Sequence, residues 1–208
     1  TAAGLTVMAV HNHYPKAAVM TGLPDESFIR ADIPMTKREI RASVVSRLSS
    51  AKDAIVYDIG AGTGSVSVEL AMHALYGTVY AVERTKEGCE LIAQNARKFG
   101  LDNIDIINAS AADVIEKLPA ADSVFIGGSG GELEKIMDIV LKKNPGVHIV
   151  ITAVTLETLN DSVRLMEDKK VDVIDIVQIA VTQIKKRGRY HMLAANNPVF
   201  IIEGRGNR

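Results

Sequence analysis

The chain has 208 residues, a length that suits one α/β domain with a substantial core. Hydrophobic residues make up 47% of it and aromatic residues only 4%, so the core must be mainly aliphatic. The net charge of −1 argues against a general nucleic-acid binder, and no apolar run reaches the roughly 18 residues of a membrane span. The lone Cys89 excludes an internal disulfide framework and favours a cytoplasmic location.

Strand-like and helix-like runs alternate along most of the chain. The apolar run Leu5–Val10 predicts an N-terminal strand, and the capping-box pattern Thr36-Lys-Arg-Glu39 predicts a helix with Thr36 as its N-cap. Further strands are predicted at 54–59, 78–83, 104–108, 123–126, 147–152, 171–182 and 198–203. Helical patterns separate all but the last two of these strands. The alternation predicts a parallel sheet with helices on both faces, and the last two strands are predicted to form an antiparallel hairpin at its edge.

The most informative segment is Ile55-Val-Tyr-Asp-Ile-Gly-Ala-Gly-Thr-Gly64. An apolar strand leads into glycines at alternate positions, and a helical pattern begins at Ser65. Glycine permits a positive-φ turn and lets a ligand approach the backbone, while the helix start offers unpaired N–H groups. This arrangement predicts a nucleotide-like cofactor at the carboxyl end of a parallel sheet.

The spacing of the glycines helps to choose the cofactor. The order here is G-x-G-x-G, whereas the dinucleotide fingerprint is G-x-G-x-x-G. Glu83 ends the next predicted strand, where a carboxylate is placed to accept both ribose hydroxyls of an adenosine. An NAD site, which Glu83 would suit equally, and a tight turn without a ligand are the alternatives.

The segment Asp58–Gly64 resembles the D-x-G-x-G-x-G motif of class I methyltransferases, which bind S-adenosylmethionine. Four other segments resemble signature blocks of a narrower family, the decarboxylating precorrin methyltransferases of cobalamin biosynthesis (CbiT, or the C-terminal half of CobL). They are Gly22-Leu-Pro-Asp-Glu-Ser-Phe28, Ile33-Pro-Met-Thr-Lys-Arg-Glu-Ile-Arg41, Phe125-Ile-Gly-Gly-Ser-Gly-Gly131 and Asn197-Pro-Val-Phe200. The resemblance covers about residues 22 to 204, and the ordered combination of blocks is far more specific than the glycine loop alone.

The resemblance implies a Rossmann-like class I methyltransferase fold, with a mostly parallel seven-stranded sheet and an antiparallel edge hairpin. It implies methyl transfer from S-adenosylmethionine to carbon 15 of a corrin-precursor tetrapyrrole, with decarboxylation of the ring-C acetate. It also implies a homo-oligomer, with a tetramer as the expected form. A class I methyltransferase acting on another small molecule or on RNA is the alternative, and a non-enzymatic nucleotide-binding module is a third class.

By carry-over from the family, ten residues are expected at the cofactor: Thr36, Asp58, Gly60, Ala61, Gly62, Thr63, Gly64, Glu83, Ser110 and the backbone of Ala111. Ser110 departs from the pattern, because such enzymes usually carry an acidic residue there, near the adenine amino group. Ser110-Ala-Ala-Asp113 is also a capping-box variant that predicts the start of a helix.

The substrate carries many carboxylates, and the second glycine tract can present backbone N–H groups to them. Gly127, Gly128, Ser129 and Gly130 are therefore expected at the substrate, although a plain strand-to-helix turn capped within Ser129–Glu132 is the alternative. The basic run Lys185–Arg189 could bind the same carboxylates or form a solvated loop.

No catalytic side chain is assigned, because a methyl group on sulfonium needs chiefly alignment with its acceptor. No metal site is predicted either, since His11 and His13 lack further ligands nearby. Residues 1–23 resemble the closing segment of the CbiE-type domain that precedes this one in fused enzymes. The predicted division is therefore an N-terminal segment, 1–23, and a methyltransferase domain, 24–208.

Overall fold

The computed structural model describes residues 20–48 and 51–207. The predicted strand Leu5–Val10, together with His11 and His13, lies outside these residues, and so does most of the predicted N-terminal segment. The helices are α1 (Arg38–Leu48), α2 (Ser65–His73), α3 (Lys86–Lys98), α4 (Ala111–Val114), α5 (Leu133–Lys143) and α6 (Leu156–Asp168). The strands are β1 (Ile55–Ile59), β2 (Thr78–Glu83), β3 (Ile104–Asn108), β4 (Ser123–Ile126), β5 (His148–Ala153), β6 (Val171–Ile179), β7 (Thr182–Arg187), β8 (Tyr190–Ala195) and β9 (Val199–Gly206).

Seven strands form one sheet in the order β3-β2-β1-β4-β5-β9-β6. The first five in this order run parallel, and β9 pairs antiparallel with both β5 and β6. The central strands consist largely of Val and Ile and are buried on both faces, as parallel strands covered by helices must be. The order reverses between β1 and β4, which is where open α/β sheets form their ligand crevice. The fold-class prediction is confirmed.

Side chains of alternate strand residues pack into two separate hydrophobic cores, one on each face of the sheet. Tyr57 and Ile59 point into a cluster with α4, α5 and α6, whereas Val56 packs with α1 and α2 on the other face. Asp58 shares the second face with Val56, because side chains two residues apart lie on the same side of a strand. This alternation places the Asp58 carboxyl beneath α2 rather than in solvent.

A buried clasp of Arg41, Glu69 and Asp25 fastens the segment before α1 to the domain. The Arg41 side chain is fully buried, with Nε 2.6 Å from Glu69 Oε1 and Nη1 3.2 Å from Asp25 Oδ1. Glu69 also accepts hydrogen bonds from the backbone N–H groups of Gly22 and Leu23. Removing one member of such a buried pair typically costs about 3–5 kcal/mol, so the clasp holds the segment firmly.

Three local predictions differ from the structure. Helix α1 begins at Arg38, and the Lys37 carbonyl accepts the first helical hydrogen bond, so the N-cap is Lys37 and the prediction of Thr36 was wrong. Strand β6 ends at Ile179 rather than near 182. Finally, Lys185–Arg189 is not a loop between the late strands.

The basic run belongs to a separate two-stranded sheet of β7 and β8, paired from Thr182↔Ala195 to Arg187↔Tyr190. The turn between the strands has two residues, and Gly188 adopts a φ of +60°, the backbone that tight hairpins need. The polar sequence concealed this hairpin, because its strands are almost entirely exposed and lack the alternating apolar pattern of a half-buried strand.

Candidate functional site

A cavity of about 450 Å³ lies at the carboxyl ends of β1, β2, β3 and β4. Its walls come from the segment before α1 and from the loops that follow these four strands. From the predicted cofactor set, the cavity is lined by Gly60, Gly62, Glu83, Ser110 and Ala111. From the predicted substrate set, it is lined by Gly128, Ser129 and Gly130. Residues that are far apart in the sequence thus share one cavity.

The remaining predicted residues do not line this cavity but lie behind or beside its walls. Thr63 and Gly64 form the end of the glycine loop, and a Cβ at Gly64 would lie 3.0 Å from the Ile92 side chain. The Thr36 carbonyl accepts a hydrogen bond from Arg41, two residues beyond the lining residue Pro34. Ala61 lies in the loop itself, where its N–H donates to Val82 O at 3.2 Å. Their direct contact with a cofactor stays a prediction.

The two glycine tracts are in backbone contact. A Cβ at Gly60, where φ is +74°, would lie 2.5 Å from the Gly128 carbonyl oxygen, so no larger residue fits there. The Gly127 N–H donates to Ile59 O at 2.9 Å and fixes the second tract against the end of β1. The cavity floor is therefore made of backbone, which a ligand can approach closely.

Glu83 ties the glycine loop to the loop after β2. Its Oε2 accepts from the Gly62 N–H at 3.0 Å, and its Oε1 accepts from the N–H and the hydroxyl of Thr85, each at 2.8 Å. A carboxylate offers about four acceptor positions, so one position on Oε2 is still open. Because the side chain lines the cavity, that position can take a ligand hydroxyl.

Asp58 caps α2 from below the glycine loop. The N-cap residue of α2 is Gly64, which has no side chain, and Ser67 in the first turn donates its hydroxyl to Asp58 Oδ2. Burial raises the pKa of Asp58 to about 6; hydrogen bonding from Ser67 lowers it and nearby Glu83 raises it further. Asp58 Oδ1 is buried and has no hydrogen-bond partner within the described residues.

Ser110 lies at the N-cap position of α4, as predicted, but its side chain makes no cap hydrogen bond. Its hydroxyl donates instead to Glu132 Oε2 across the cavity wall. Helix α5 begins at Leu133 with Glu132 as N-cap, so the alternative in which Ser129 caps it was wrong. Sequence reasoning treated Glu132 only as a capping residue and did not place it in the site.

Several other residues that line the cavity were not predicted, and Ile33, Pro34 and Arg84 are three of them. Ile33 and Pro34 come from the segment held by the buried clasp, in the same signature block as Thr36. Arg84 follows Glu83 directly, and its Nη1 would lie 3.1 Å from a Cβ at Gly130. Its position just after a predicted strand end was a usable signal, since such positions meet at one edge of a parallel sheet.

A second cavity of about 250 Å³ lies beside the first, at the carboxyl ends of β4 and β5. The second glycine tract forms its wall, with Thr152, Val154 and Thr158 on the side of β5 and α6. Gly128–Gly130 line both cavities, so the tract separates two adjoining spaces. None of Lys185–Arg189, all of which the structure describes, lines either cavity.

The thiol of Cys89 lies beside the end of β2. Cys89 is partly buried, its Sγ contacts Glu83 O at 3.4 Å, and burial raises the pKa of its thiol, which disfavours a reactive thiolate. Among residues 20–48 and 51–207, no three His, Cys, Asp or Glu side chains are grouped so that they could hold a metal ion. Within the same residues, no helix is both long and apolar enough to cross a membrane.

Comparison with known proteins agrees with this geometry. The family model for the precorrin methyltransferase domain matches residues 27–204. A protein of Pyrobaculum calidifontis named as a probable cobalt-precorrin-6B C(15)-methyltransferase (decarboxylating) is 40% identical over 184 residues, covering 87% of this chain and 94% of that relative.

Two solved structures extend the comparison. The precorrin-6y C5,15-methyltransferase of Geobacter metallireducens has a TM-score of 0.82 at 38% identity, covering 88% of this chain and 95% of that one. The precorrin 8W decarboxylase of Methanobacterium thermoautotrophicum has a TM-score of 0.81 at 32% identity, covering 88% and 98%. The sequence match, the shared fold and the cavity at the β1–β4 reversal agree, and the chain belongs to the precorrin methyltransferase family.

Proposed function

We propose that this protein transfers a methyl group from S-adenosylmethionine to carbon 15 of a precorrin or cobalt-precorrin and removes the ring-C acetate carboxyl as carbon dioxide, in cobalamin biosynthesis. The observation that carries the proposal is the joined pair of glycine tracts beside Glu83, in a cavity at the carboxyl ends of the parallel strands. The names of the relatives at 32–40% identity support the choice of a precorrin as substrate.

The cavity fits S-adenosylmethionine in three respects. The backbone of Gly60 and Gly62 offers close approach without side chains, and the open acceptor position on Glu83 Oε2 suits a ribose hydroxyl. The loop at Ser110–Ala111 borders space for a flat base. The cofactor supplies an already activated methyl group. Alignment of that group with the acceptor carbon is then the main task of the protein, so no nucleophilic side chain is needed.

The second cavity is the proposed place of the tetrapyrrole. The Gly127 and Gly128 N–H groups already donate to Ile59 O, so the backbone N–H groups available between the two spaces are those of Ser129 and Gly130. Arg84 adds a cation near Gly130, so carboxylates of the substrate can be bound there. Val154 is 66% exposed at the rim and offers an apolar contact for the face of the ring. These groups would fix the position of the ring relative to the first cavity.

We also propose that the protein is cytoplasmic and forms a homo-oligomer, with the tetramer as the expected form. We propose no nucleic-acid or membrane partner for it. The lone Cys89 supports a reducing compartment, and the net charge of −1 weighs against nucleic acid. The hairpin β7–β8 supports self-association, because a two-stranded sheet is marginal alone and this one exposes Ile184, Met192 and Leu193.

Calorimetric titration with S-adenosylmethionine and with NAD tests the cofactor class, and incubation with a precorrin substrate then tests the reaction. The proposal predicts saturable binding of S-adenosylmethionine, no comparable binding of NAD, and a methylated tetrapyrrole product. Binding of NAD in preference to S-adenosylmethionine would contradict the cofactor assignment. Binding of the cofactor without conversion of the precorrin would leave the cofactor site intact and refute the substrate.

A further inference from the structure

Two residues at helix N-termini leave their own helices uncapped and bind each other. Ser110 precedes α4 and Glu132 precedes α5, and neither side chain makes a cap hydrogen bond. Capping by a serine side chain usually stabilises a helix by about 0.5–2 kcal/mol, so this contribution is forgone at α4. Instead, the Ser110 hydroxyl donates to Glu132 Oε2 in the wall of the larger cavity.

The Glu132 carboxylate retains free acceptor capacity toward the cavity. Ser110 uses one position on Oε2, and Lys135 Nζ lies 3.9 Å from Oε1 in an exposed pair, which is a weak interaction. The backbone of Glu132 is fixed, because its N–H donates to Ser129 O at 3.1 Å. The side chain is 37% exposed, and lines the cavity together with Ser110 and Ala111.

We infer that the Glu132 carboxylate accepts a hydrogen bond from the amino group of the adenine, a role for which residue 110 lacks the charge. The inference rests on the proposed function. Three carboxylates line the cavity: Glu83 ends β2 and Glu87 lies in the first turn of α3, on the side where the ribose is placed, whereas Glu132 lies beside the loop after β3. An ionised carboxylate only accepts hydrogen bonds, so it favours an amino group and disfavours a carbonyl oxygen at the same position.

The alternative is that Glu132 merely orders the loop between β4 and α5. The two roles differ in what a change of the base does. S-inosylhomocysteine carries a carbonyl oxygen where S-adenosylhomocysteine carries the amino group. A ligand-contacting Glu132 makes the ratio of the two affinities depend on residue 132, whereas a structural Glu132 changes both affinities together.

The experiment is a titration of the wild type, Glu132→Gln and Glu134→Gln with both compounds. Glutamine keeps the size of the side chain and can donate from its amide to a carbonyl oxygen. Glu134 is the matched control, because its side chain is 66% exposed, two residues further along, and does not line the cavity. Circular dichroism of each variant checks the fold.

We expect the wild type and Glu134→Gln to prefer S-adenosylhomocysteine by about tenfold or more, as sites built around one hydrogen bond do. In Glu132→Gln the preference should shrink several-fold. An unchanged ratio in Glu132→Gln, whatever its overall affinity, overturns this inference alone. Failure of the wild type to bind S-adenosylhomocysteine at all overturns the proposed function and this inference with it.

Discussion

Among single residues, Glu83 joins structure and ligand most directly, because one carboxylate holds Gly62, Thr85 and the proposed ribose. Replacing Glu83 with Ala should weaken binding of S-adenosylmethionine by about 1.5–3 kcal/mol, the usual cost of losing hydrogen bonds to a charged group. Calorimetric titration of the folded variant measures the change. Glu90→Ala is the control, since Glu90 is exposed on α3 and its side chain pairs only weakly with Lys86. Equal affinities of Glu83→Ala and the wild type would remove Glu83 from the site.

The buried Asp58 makes a prediction about pH. Its pKa of about 6 in the folded protein exceeds the ordinary value of 3.8, so the folded state binds a proton more tightly than the unfolded state does. Ionisation of Asp58 therefore costs stability, and the cost grows between about pH 4 and pH 6 and then levels off.

Replacing Asp58 with Asn removes this titration while keeping the shape of the side chain. The free energy of unfolding of the wild type minus that of Asp58→Asn should fall as the pH rises from 4 to 6 and stay constant above it. Urea denaturation at a series of pH values measures this difference, in which the other titrating groups largely cancel. A difference that is independent of pH would show that Asp58 ionises normally.

On the scale of elements, the glycine loop depends on its backbone conformation and on its contact with the clasped segment. Gly62 has a φ of +56°, and a Cβ there would lie 3.0 Å from Pro34 O. Gly62→Val should therefore abolish binding of S-adenosylmethionine while the circular dichroism spectrum stays that of a folded protein. Gly100→Val is the control, because Gly100 has a similar φ of +64° with no atom within 4 Å of its Cβ position. Retained binding in Gly62→Val would place the cofactor elsewhere.

The second glycine tract is open where the first is crowded. A Cβ at Gly128 would have no atom within 4 Å, so an aspartate fits there without displacing the fold. Gly128→Asp should block methyl transfer by placing a negative charge against the carboxylates of the substrate, and leave cofactor affinity nearly unchanged. Gly128→Asn has nearly the same shape without the charge and should retain much more activity. Full activity of Gly128→Asp would refute the role of the tract at the substrate.

The sequence predicted β2, β3 and β4 with their observed bounds, because each is a short aliphatic run that ends at a turn or at a functional residue. It also predicted Gly60, Gly62 and Glu83 as neighbours, since strand ends of a parallel sheet meet at one edge. Glu132 was not predicted at the site, because its contact with Ser110 joins two loops that are 22 residues apart in the chain. The spacing of residues along the sequence does not indicate such a tertiary contact.

On the scale of the whole molecule, the hairpin β7–β8 stands out because its strands expose large apolar side chains. Ile184 lies opposite Leu193 in the register, and the two side chains are 67% and 76% exposed. If this face joins copies of the chain, Ile184→Ser combined with Leu193→Ser should lower the molar mass measured by light scattering. Tyr76→Ser is the control, since Tyr76 is 82% exposed and lies outside the hairpin. A multimer that persists in the double variant would exclude this surface as the interface.

We propose that this one protein carries out both methyl transfer and decarboxylation on a precorrin. The most direct measurement supplies the wild type with methyl-labelled S-adenosylmethionine and a precorrin, and follows the label in the tetrapyrrole together with released carbon dioxide. We predict that the two products appear in equal amounts and only when protein and cofactor are both present. Label transferred without release of carbon dioxide, or no label transferred by a protein that binds the cofactor, would contradict the account.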